Sequence, residues 1–322
     1  MNKTYTTGAF IVVGMFLLTT VHAAHISGTE TTSNKTLTKP VAIYSYERNE
    51  FVIQSAMANY ASSNDIFVII HGANSSIQAC TYLISLARSI HKKHPSSRVL
   101  VVDWSLLAKE EAKKSNFPRS VEELRRSSLK FEAYLVNNFP DSNKREDFVK
   151  RLSIKYIPLQ AASRVDPVAR QVFFQLFVNG MMQPGKTRLI GHSLGAHIAF
   201  SLAEIVKEQT GQTVNTLSLL EPAPEFLFER NDTYRGINWK NNVALHVVVY
   251  KTSKLFSESE IDHQVTLVDL KKVVPGKNGH LSQLLEEYCQ HQMVWEVYRA
   301  RELDSSVDLK KLKYRQAFGF IF

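Results

Sequence analysis

The stretch Leu189–His197, LIGHSLGAH, decides the predicted fold of this 322-residue chain. A short apolar strand, Thr187–Ile190, leads into Gly191-His-Ser193-Leu-Gly195, and helical spacing follows to Glu208. Gly-x-Ser-x-Gly between a strand and a helix is the context of a nucleophile elbow, a sharp turn that exposes the serine Oγ. Its glycines are expected because a Cβ at either position would strike the neighbouring strand or helix. The motif also arises by chance, but its flanks favour a nucleophile over a structural serine at Ser193.

Continuous apolar runs around this motif predict a largely parallel sheet. Ile66–Ile70 and Arg98–Val102 are typical of strands buried on both faces, and Ile77–His91 between them has helical spacing. Strand, helix and strand at this spacing form a βαβ unit. Further strands are predicted at Val214–Leu220, Val243–Tyr250 and Gln264–Leu270, before a final helix through Trp295, Tyr298 and Ala300. The pattern predicts one α/β domain with at least six strands.

Two backbone N–H groups are candidate donors to an oxyanion. Leu194 opens the helix after the serine, where the helix dipole favours negative charge. Ile70-His71-Gly72-Ala73 ends a buried strand, and Gly72 permits close backbone approach, so the Ala73 N–H is the second candidate. The alternative is that Gly72 is an ordinary strand-ending glycine.

A serine nucleophile needs a base and an acid, which follow it in the order acid, then histidine. Glu221 comes directly after the strand that ends at Leu220, at the functional edge of such a sheet. Four histidines follow: His246, His263, His280 and His291. We expect His246 to be packed inside its strand, and position favours His280 and His291 equally as the base. His197, one turn into the helix after the elbow, is expected to be a buried, hydrogen-bonded histidine.

Composition indicates a globular protein, with 44% hydrophobic and 21% charged residues and a net charge of +9. Two cysteines exclude a disulfide scaffold and a four-cysteine zinc site, and no metal or cofactor is predicted. Whether Cys80 and Cys289 pair stays open. Zinc-finger spacing and aromatic RNA-binding patterns do not occur, so no nucleic-acid partner is predicted.

The N-terminal segment predicts secretion to the extracellular space. Ala9–Val21 is an apolar run of signal-peptide length, and Val21-His22-Ala23 fits a cleavage site, so residues 1–23 are interpreted as a signal peptide. A single anchoring helix is the alternative, but the run is short for it. Residues 24–40 are polar and predicted to be flexible, and residues 41–322 form the predicted domain. Secretion makes Asn34, Asn74 and Asn231 candidate glycosylation sites.

A charged stretch, residues 106–155, interrupts the strand and helix pattern. It holds 12 Lys and Arg against 8 Asp and Glu, a net charge of +4. Ser120-Val-Glu-Glu123 is a capping-box pattern before an apolar period through Leu124, Phe131 and Leu135, which predicts one or two amphipathic surface helices. A membrane-binding helix is the alternative, and contact with anionic lipid surfaces is a hypothesis for this insertion.

With these residues in place, the chain resembles the pancreatic-lipase family of secreted α/β-hydrolases, which includes lipases, phospholipases and yolk proteins. The matching motifs are Ile70-His71-Gly72, Val101–Ser105, Ile190–His197, Leu220–Pro224, and Cys289-Gln-His291 with Trp295 and Tyr298 downstream. The resemblance covers roughly residues 41–300 without the insertion. It implies an α/β-hydrolase fold, a central, mostly parallel sheet flanked by helices.

The resemblance also implies a site and a function. It selects His291 as the base of a Ser193, Glu221 and His291 triad, with Ala73 and Leu194 as the oxyanion hole. Such a site implies a serine carboxylic ester hydrolase acting on triglyceride or phospholipid acyl esters, with a lipid or ester substrate and no stable protein partner. The alternative is a catalytically weak or inactive, yolk-protein-like lipid-binding member.

Four features depart from the family. Glu221 stands where the family usually has Asp, and typical members lack the insertion. Lys277 stands where a cysteine partner for Cys289 is expected, which implies that the lid disulfide is absent and the lid reduced, as in the phospholipase branch. No residues follow Phe322 for the family's second, β-sandwich domain.

Overall fold

The computed structural model describes residues 41–53, 65–73, 75–78, 80–108, 120–155, 159–178, 183–229, 234, 236–239, 241–252, 266–269 and 283–306. Side chains are described in these ranges except at 151–155, 177–178, 266–269 and 283–290. Several predictions lie outside the described residues: the signal peptide, the flexible N-terminus, the three glycosylation candidates, His263, Lys277 and His280.

An eight-stranded sheet forms the centre of the domain. Its strands are β1 (Ala42–Glu47), β2 (Glu50–Ile53), β3 (Ile66–Ile70), β4 (Arg98–Asp103), β5 (Thr187–His192), β6 (Val214–Leu220), β7 (Ala244–Lys251) and β8 (Thr266–Asp269). They lie in the order β2-β1-β4-β3-β5-β6-β7-β8. The strand β1 is antiparallel to both its neighbours, and every pairing from β4 to β8 is parallel. The predicted, mostly parallel sheet is confirmed.

The described residues form nine α-helices. They are α1 (Thr81–Lys93), α2 (Ser105–Ala108), α3 (Val121–Ser127), α4 (Leu129–Asn138), α5 (Ser142–Lys155), α6 (Leu159–Ala162), α7 (Val165–Val178), α8 (Leu194–Thr210) and α9 (Gln283–Tyr298). A π-helical turn, Arg299–Leu303, follows α9, and a 3-10 turn, Glu225–Phe228, follows β6. Within the described residues, none of these helices is both long and apolar enough to span a membrane.

The central strands form because their side chains are apolar on both faces. All residues of β3 and β4 are buried. Because side chains alternate along a strand, Phe67 and Ile69 face the cluster formed with α1 and α9, which includes Trp295. The opposite face is covered by α8, which packs against α7 and the central strands. This layering fixes the position of the strand ends.

The carboxyl ends of five strands meet at one edge of the sheet. In the register, Ile70 pairs with both Val102 and Gly191, and Leu220 pairs with Tyr250. The polar residues at these ends are His71, Asp103, Ser193, Glu221 and Thr252. Ends of parallel strands are the usual place for a site in an open α/β sheet.

The described part of the charged stretch contains α3, α4, α5 and the end of α2, which is more than the one or two helices predicted. The Ser120 Oγ accepts a 3.0 Å hydrogen bond from the Glu123 N–H, as the capping pattern predicts. Leu124, Phe131 and Leu135 are buried, which confirms the apolar period. The helices are separated at Ser128, which caps α4, and at Pro140, which cannot continue a helix, so the stretch forms more helices than its apolar period predicted.

The helix α4 packs against the 3-10 turn that follows β6. The rings of Phe131 and Phe226 are 4.7 Å apart, and Lys130 Nζ lies 2.9 Å from Glu225 Oε1. The charged stretch therefore covers the segment immediately after Glu221.

Candidate active site

Ser193 occupies a strained turn between β5 and α8. Its φ of 54° lies in the left-handed region, which non-glycine residues seldom adopt without a supporting structure. The backbone supplies that support, because the Ser193 N–H donates to the Leu220 carbonyl and the Ser193 carbonyl accepts from the Ala196 and Ala223 N–H groups. Ser193 makes no side-chain capping bond to α8. The turn thus holds the serine backbone and leaves its Oγ out of the helix cap.

The two motif glycines are required by close backbone contacts. A Cβ on Gly191 would lie 2.3 Å from the Gly195 carbonyl oxygen, and one on Gly195 would lie 2.4 Å from the carbonyl oxygens of Ile70 and His71. The predicted reason for these glycines is confirmed: they let α8 begin against the ends of β3 and β5.

Glu221 is fully buried, with one oxygen held by the chain and the other facing a histidine. Its Oε1 accepts hydrogen bonds from the Thr252 N–H and, at 2.6 Å, from the Thr252 Oγ1. Its Oε2 lies 3.6 Å from His291 Nδ1. The φ of Glu221 is 47°, so the backbone here is also strained.

Sequence reasoning missed Thr252. The signal was available, because Thr252 directly follows β7, the parallel neighbour of β6, and Glu221 directly follows β6. A hydroxyl at that place meets the acid across the sheet edge.

His291 lies within α9, whereas the sequence predicted the final helix only through Trp295, Tyr298 and Ala300, which all follow this histidine. The helix starts earlier, at Gln283, because the run up to Gln290 consists mostly of good helix formers, Gln, Leu and Glu. The structure brings His291 and Glu221 together, so of the two histidines that position favoured equally, His291 lies beside the acid. His280 lies outside the described residues.

His192, the residue before the nucleophile, ties the elbow to α9. Its Nε2 donates a 3.2 Å hydrogen bond to the His291 carbonyl, and the two rings are 4.7 Å apart. Burial lowers the pKa of His192 well below its ordinary value, and the charge of His291 adds to that shift. The neutral ring therefore fixes the backbone of the predicted base.

The chain after β3 approaches the serine closely. A Cβ on Gly72 would lie 3.2 Å from Ser193 Cβ and 3.2 Å from His192 Nδ1. Ala73 follows in a buried position, and Leu194 is the next residue after the serine. These positions put both predicted oxyanion donors beside Ser193, and their role remains a prediction.

His71 and Asp103 support this turn. His71 Nε2 lies 3.2 Å from Asp103 Oδ1, and His71 Nδ1 lies 2.7 Å from the Gly72 carbonyl oxygen. The Trp104 Nε1 donates a 2.8 Å hydrogen bond to the His71 carbonyl. The motifs at the ends of β3 and β4 therefore form one buried polar cluster next to the elbow.

The environments of His197 and His246 were also predicted from the sequence. His197 is buried, its Nε2 donates to the Ala223 carbonyl at 2.7 Å, and its Nδ1 lies 3.0 Å from Tyr234 Oη. Burial lowers its pKa to about 3, so its prediction as a core histidine is confirmed. His246 is exposed, so the prediction that it is packed was wrong. Among the described residues, β8 pairs with β7 from Val248 to Lys251, which does not include His246.

Neither a metal cluster nor a disulfide is seen in the part of the chain that the structure describes. No group of three His, Cys, Asp or Glu side chains is arranged there to hold a metal ion. Cys80 is a buried free thiol, and the side chain of Cys289 lies outside the described side chains.

This chain was compared with known proteins by sequence and by structure. No family model matches the sequence, and no curated protein matches it. Among similar solved structures, an esterase from Pyrobaculum calidifontis is 12% identical, with a TM-score of 0.35, over 84% of this chain and 85% of that one. A carboxylesterase from Mesorhizobium loti is 10% identical, with a TM-score of 0.30, over 73% and 88%. An α/β hydrolase from a Medee basin deep-sea metagenome library is 16% identical, with a TM-score of 0.34, over 71% and 75%.

The fold class follows from this chain's own architecture. The mostly parallel eight-stranded sheet, the flanking helices and the Gly-x-Ser-x-Gly turn between β5 and α8 define an α/β-hydrolase fold. The predicted fold class is therefore confirmed. The fold alone does not fix the substrate, which must be argued from the site.

Proposed function

We propose that this protein is a secreted serine carboxylic ester hydrolase that acts on lipid acyl esters through Ser193, Glu221 and His291. One observation carries the proposal: a serine on a strained elbow shares its sheet edge with a buried carboxylate that lies 3.6 Å from an imidazole nitrogen. A nucleophile, a base and an orienting acid in this chain order are the parts that acyl transfer requires.

Glu221 prepares the base. With Oε1 bound to Thr252, the carboxylate presents Oε2 to His291 Nδ1, which favours the tautomer with hydrogen on Nδ1. The Nε2 of His291 is then the proton acceptor. The carboxylate also stabilises the imidazolium that forms during the reaction.

The reaction proceeds in two halves. His291 Nε2 takes the proton of Ser193 Oγ as Oγ attacks the ester carbonyl carbon, and the Ala73 and Leu194 N–H groups hold the resulting oxyanion. His291 gives that proton to the alcohol oxygen, the ester C–O bond breaks, and the acyl group stays on Ser193. Water repeats the sequence, which releases the carboxylic acid and restores the serine.

A lipid substrate is supported by the motifs shared with lipases and by the surface next to the site. The helix α4, packed beside the segment after Glu221, carries Leu129 and Val136 on its outer face, 86% and 46% exposed. These residues are seven positions apart, so they lie on the same side of the helix. An apolar face near the site suits acyl chains and gives a place for peripheral contact with a lipid surface.

The test is turnover on defined esters. Purified protein should hydrolyse members of a panel that separates triglyceride, phospholipid and short-chain esters and resolves the acyl position. Ser193→Ala should lose activity by about 10³-fold or more, because the acyl-enzyme cannot form. Full activity in Ser193→Ala would contradict the proposal.

The second candidate is a lipid-binding protein without turnover. Glu221 in place of the family's usual Asp is the observation that favours it, since a longer carboxylate must be re-aimed to serve the histidine. Saturable lipid binding together with no hydrolysis across the whole panel would support this candidate over the enzyme.

A further inference from the structure

The two ring nitrogens of His71 both face oxygen acceptors. Nδ1 is 2.7 Å from the Gly72 carbonyl oxygen, and Nε2 is 3.2 Å from Asp103 Oδ1. A carbonyl and an ionised carboxylate only accept hydrogen bonds. His71 can therefore donate a hydrogen on Nδ1 to the Gly72 carbonyl and a hydrogen on Nε2 to Asp103.

Asp103 is ionised in this environment. Burial acts to raise its pKa, but hydrogen bonding and charge from His71, together with hydrogen bonds from Ser105, hold the pKa well below its usual range. Oδ1 accepts the Ser105 N–H at 3.0 Å, and Oδ2 accepts the Ile77 N–H at 3.2 Å. The carboxylate is therefore fixed by the chain on both oxygens.

The ring of His71 is also fixed from outside the ion pair. Trp104 stacks beside it, with 6.0 Å between ring centroids, and its Nε1 donates to the His71 carbonyl. His71 is fully buried and Asp103 nearly so. A buried ion pair contributes little net stability, because desolvation of both charges offsets their attraction. Its place beside the elbow therefore points to a role other than stability.

The geometry of the Gly72–Ala73 peptide bond indicates what that role is. The Gly72 carbonyl and the Ala73 N–H belong to the same planar peptide unit and point in opposite directions when it is trans, as it is here. The Gly72 oxygen accepts from His71 Nδ1 and, at 3.2 Å, from the Ser75 N–H. Holding the oxygen in this way also fixes the direction of the Ala73 N–H.

We propose that His71, paired with Asp103, is a positioning residue that locks the Gly72–Ala73 peptide so that the Ala73 N–H faces the oxyanion formed at Ser193. The hydrogen bond from His71 to the Gly72 carbonyl also polarises this peptide, which makes the N–H a stronger donor. The close approach of Gly72 to the Ser193 Cβ puts the peptide within reach of the reacting carbonyl. The inference rests on the proposed ester hydrolysis.

The first experiment compares two buried-histidine variants. His71→Gln keeps one side-chain donor group, so it cannot serve both the Gly72 carbonyl and Asp103. We expect kcat to fall about 10- to 100-fold with KM changed less than about 2-fold. An N–H that points away from the oxyanion can reduce kcat by up to the same factor as removal of that donor. Affinity for a trifluoromethyl ketone, whose serine adduct carries the oxyanion, should fall by the same factor as kcat/KM.

His197→Gln is the matched control. His197 is equally buried, but its ring bonds to the Ala223 carbonyl and Tyr234 and does not contact Gly72. We expect this variant to lose thermal stability while kcat changes less than about 3-fold. A folded His71→Gln variant with wild-type kcat and wild-type ketone affinity would overturn the inference.

The second experiment needs no variant. In ¹⁵N-edited NMR of the wild-type protein, the His71 ring, assigned by its contact with Trp104, should carry hydrogen on Nδ1, the nitrogen that faces the Gly72 carbonyl. An Nδ1 without hydrogen would overturn the inference, even if His71→Gln does not fold. The two proposals fail separately: a wild type that hydrolyses no ester contradicts the proposed function, whereas an active wild type whose His71 Nδ1 carries no hydrogen contradicts only this inference.

Discussion

At the scale of single residues, the contacts of Thr252 explain how the carboxylate of Glu221 is directed toward His291. The side chain of Glu221 is one methylene longer than the aspartate usual in the resembled family, and it starts from a backbone φ of 47°. Thr252 binds Oε1 through both its N–H and its hydroxyl, which leaves Oε2 toward His291. The longer side chain is thus held in place by Thr252, the residue directly after β7.

Thr252→Val should reduce activity without unfolding the protein. Valine keeps the size and the backbone N–H but removes the Oγ1 hydrogen bond to the carboxylate, which is worth roughly 1.5–3 kcal/mol for a charged partner. We expect kcat to fall about 10-fold with little change in KM, measured by steady-state hydrolysis. Thr252→Ser, which retains the hydroxyl, should stay near wild type, and equal losses in both variants would refute the role of the hydroxyl.

Glu221→Gln should be more damaging than the loss of the hydroxyl. The amide has nearly the same shape, but it can present N–H to His291 and favour the tautomer that cannot accept the serine proton. We expect kcat to fall by about 10³- to 10⁴-fold, the effect of the wrong tautomer in a serine triad. Retention of more than about a tenth of kcat would mean that Glu221 is not the orienting acid.

At the scale of elements, the candidate site forms because five parallel strands, β3 to β7, end at the same edge of the sheet and α8 begins against them. This contact leaves no space for a Cβ at Gly191 or Gly195, whereas a Cβ added at Gly185, in the turn before β5, would meet nothing within 4 Å. Alanine substitutions at Gly195 and at Gly185 therefore compare a position without space for a Cβ with a position that has space for one.

Gly195→Ala should destabilise the fold severely. A Cβ 2.4 Å from two carbonyl oxygens forces the start of α8 away from β3, so we expect a loss of about 3 kcal/mol or more in the free energy of unfolding, measured with urea. Gly185→Ala is the control and should change stability by less than about 1 kcal/mol. Similar unfolding midpoints for the two variants would contradict the close packing.

Elements with a strong local signal could be predicted from the sequence. The strand Val214–Leu220 matches its predicted bounds, and the helix after Ser193, predicted to Glu208, ends two residues later at Thr210, before a left-handed Gly211. The antiparallel hairpin of β1 and β2 was not predicted, because its polar, half-exposed residues lack the continuous apolar runs of the central strands. The start of α9 was missed as well.

The candidate site was predictable only in part, for a related reason. Chain order and strand ends indicated Ser193 and Glu221, whereas the choice between His280 and His291 required a family resemblance. Which histidine faces the acid depends on how α9 packs on the sheet. That packing depends on contacts between distant parts of the chain, which a local sequence pattern does not predict. The bonds of Thr252 and His71 likewise join residues 31 or 32 positions apart.

At the scale of the whole molecule, burial of ionisable groups links stability to pH. His192 and His197 are buried with lowered pKa values, to about 3 for His197, and the pKa of Asp103 is lowered as well. Each group binds a proton more readily in the unfolded chain than in the folded one. Stability therefore falls as pH decreases, because protons favour the unfolded state.

The free energy of unfolding should decline from pH 6.5 downward. The unfolded histidines take up protons near their ordinary pKa of 6.5, whereas folded His197 stays neutral until about pH 3, so each such histidine contributes a slope of up to about 1.4 kcal/mol per pH unit. Asp103 adds to the decline below about pH 4. Urea titrations from pH 7 to pH 4 measure this slope.

His197→Gln should make that slope shallower by about one proton's share between pH 6 and pH 4. An unfolding free energy that is independent of pH over this range in the wild type would contradict the burial of neutral histidines.

The central claim is that Ser193 is an activated nucleophile, and covalent labelling by a fluorophosphonate tests it most directly. Mass spectrometry of the digested, folded protein should find the adduct on the peptide that contains Ser193, and His291→Ala should slow labelling by at least about 100-fold. Labelling should also disappear when the wild type is unfolded in urea, since the strained elbow and the base act only in the folded chain. Folded wild-type protein that forms no adduct at Ser193 would contradict the account.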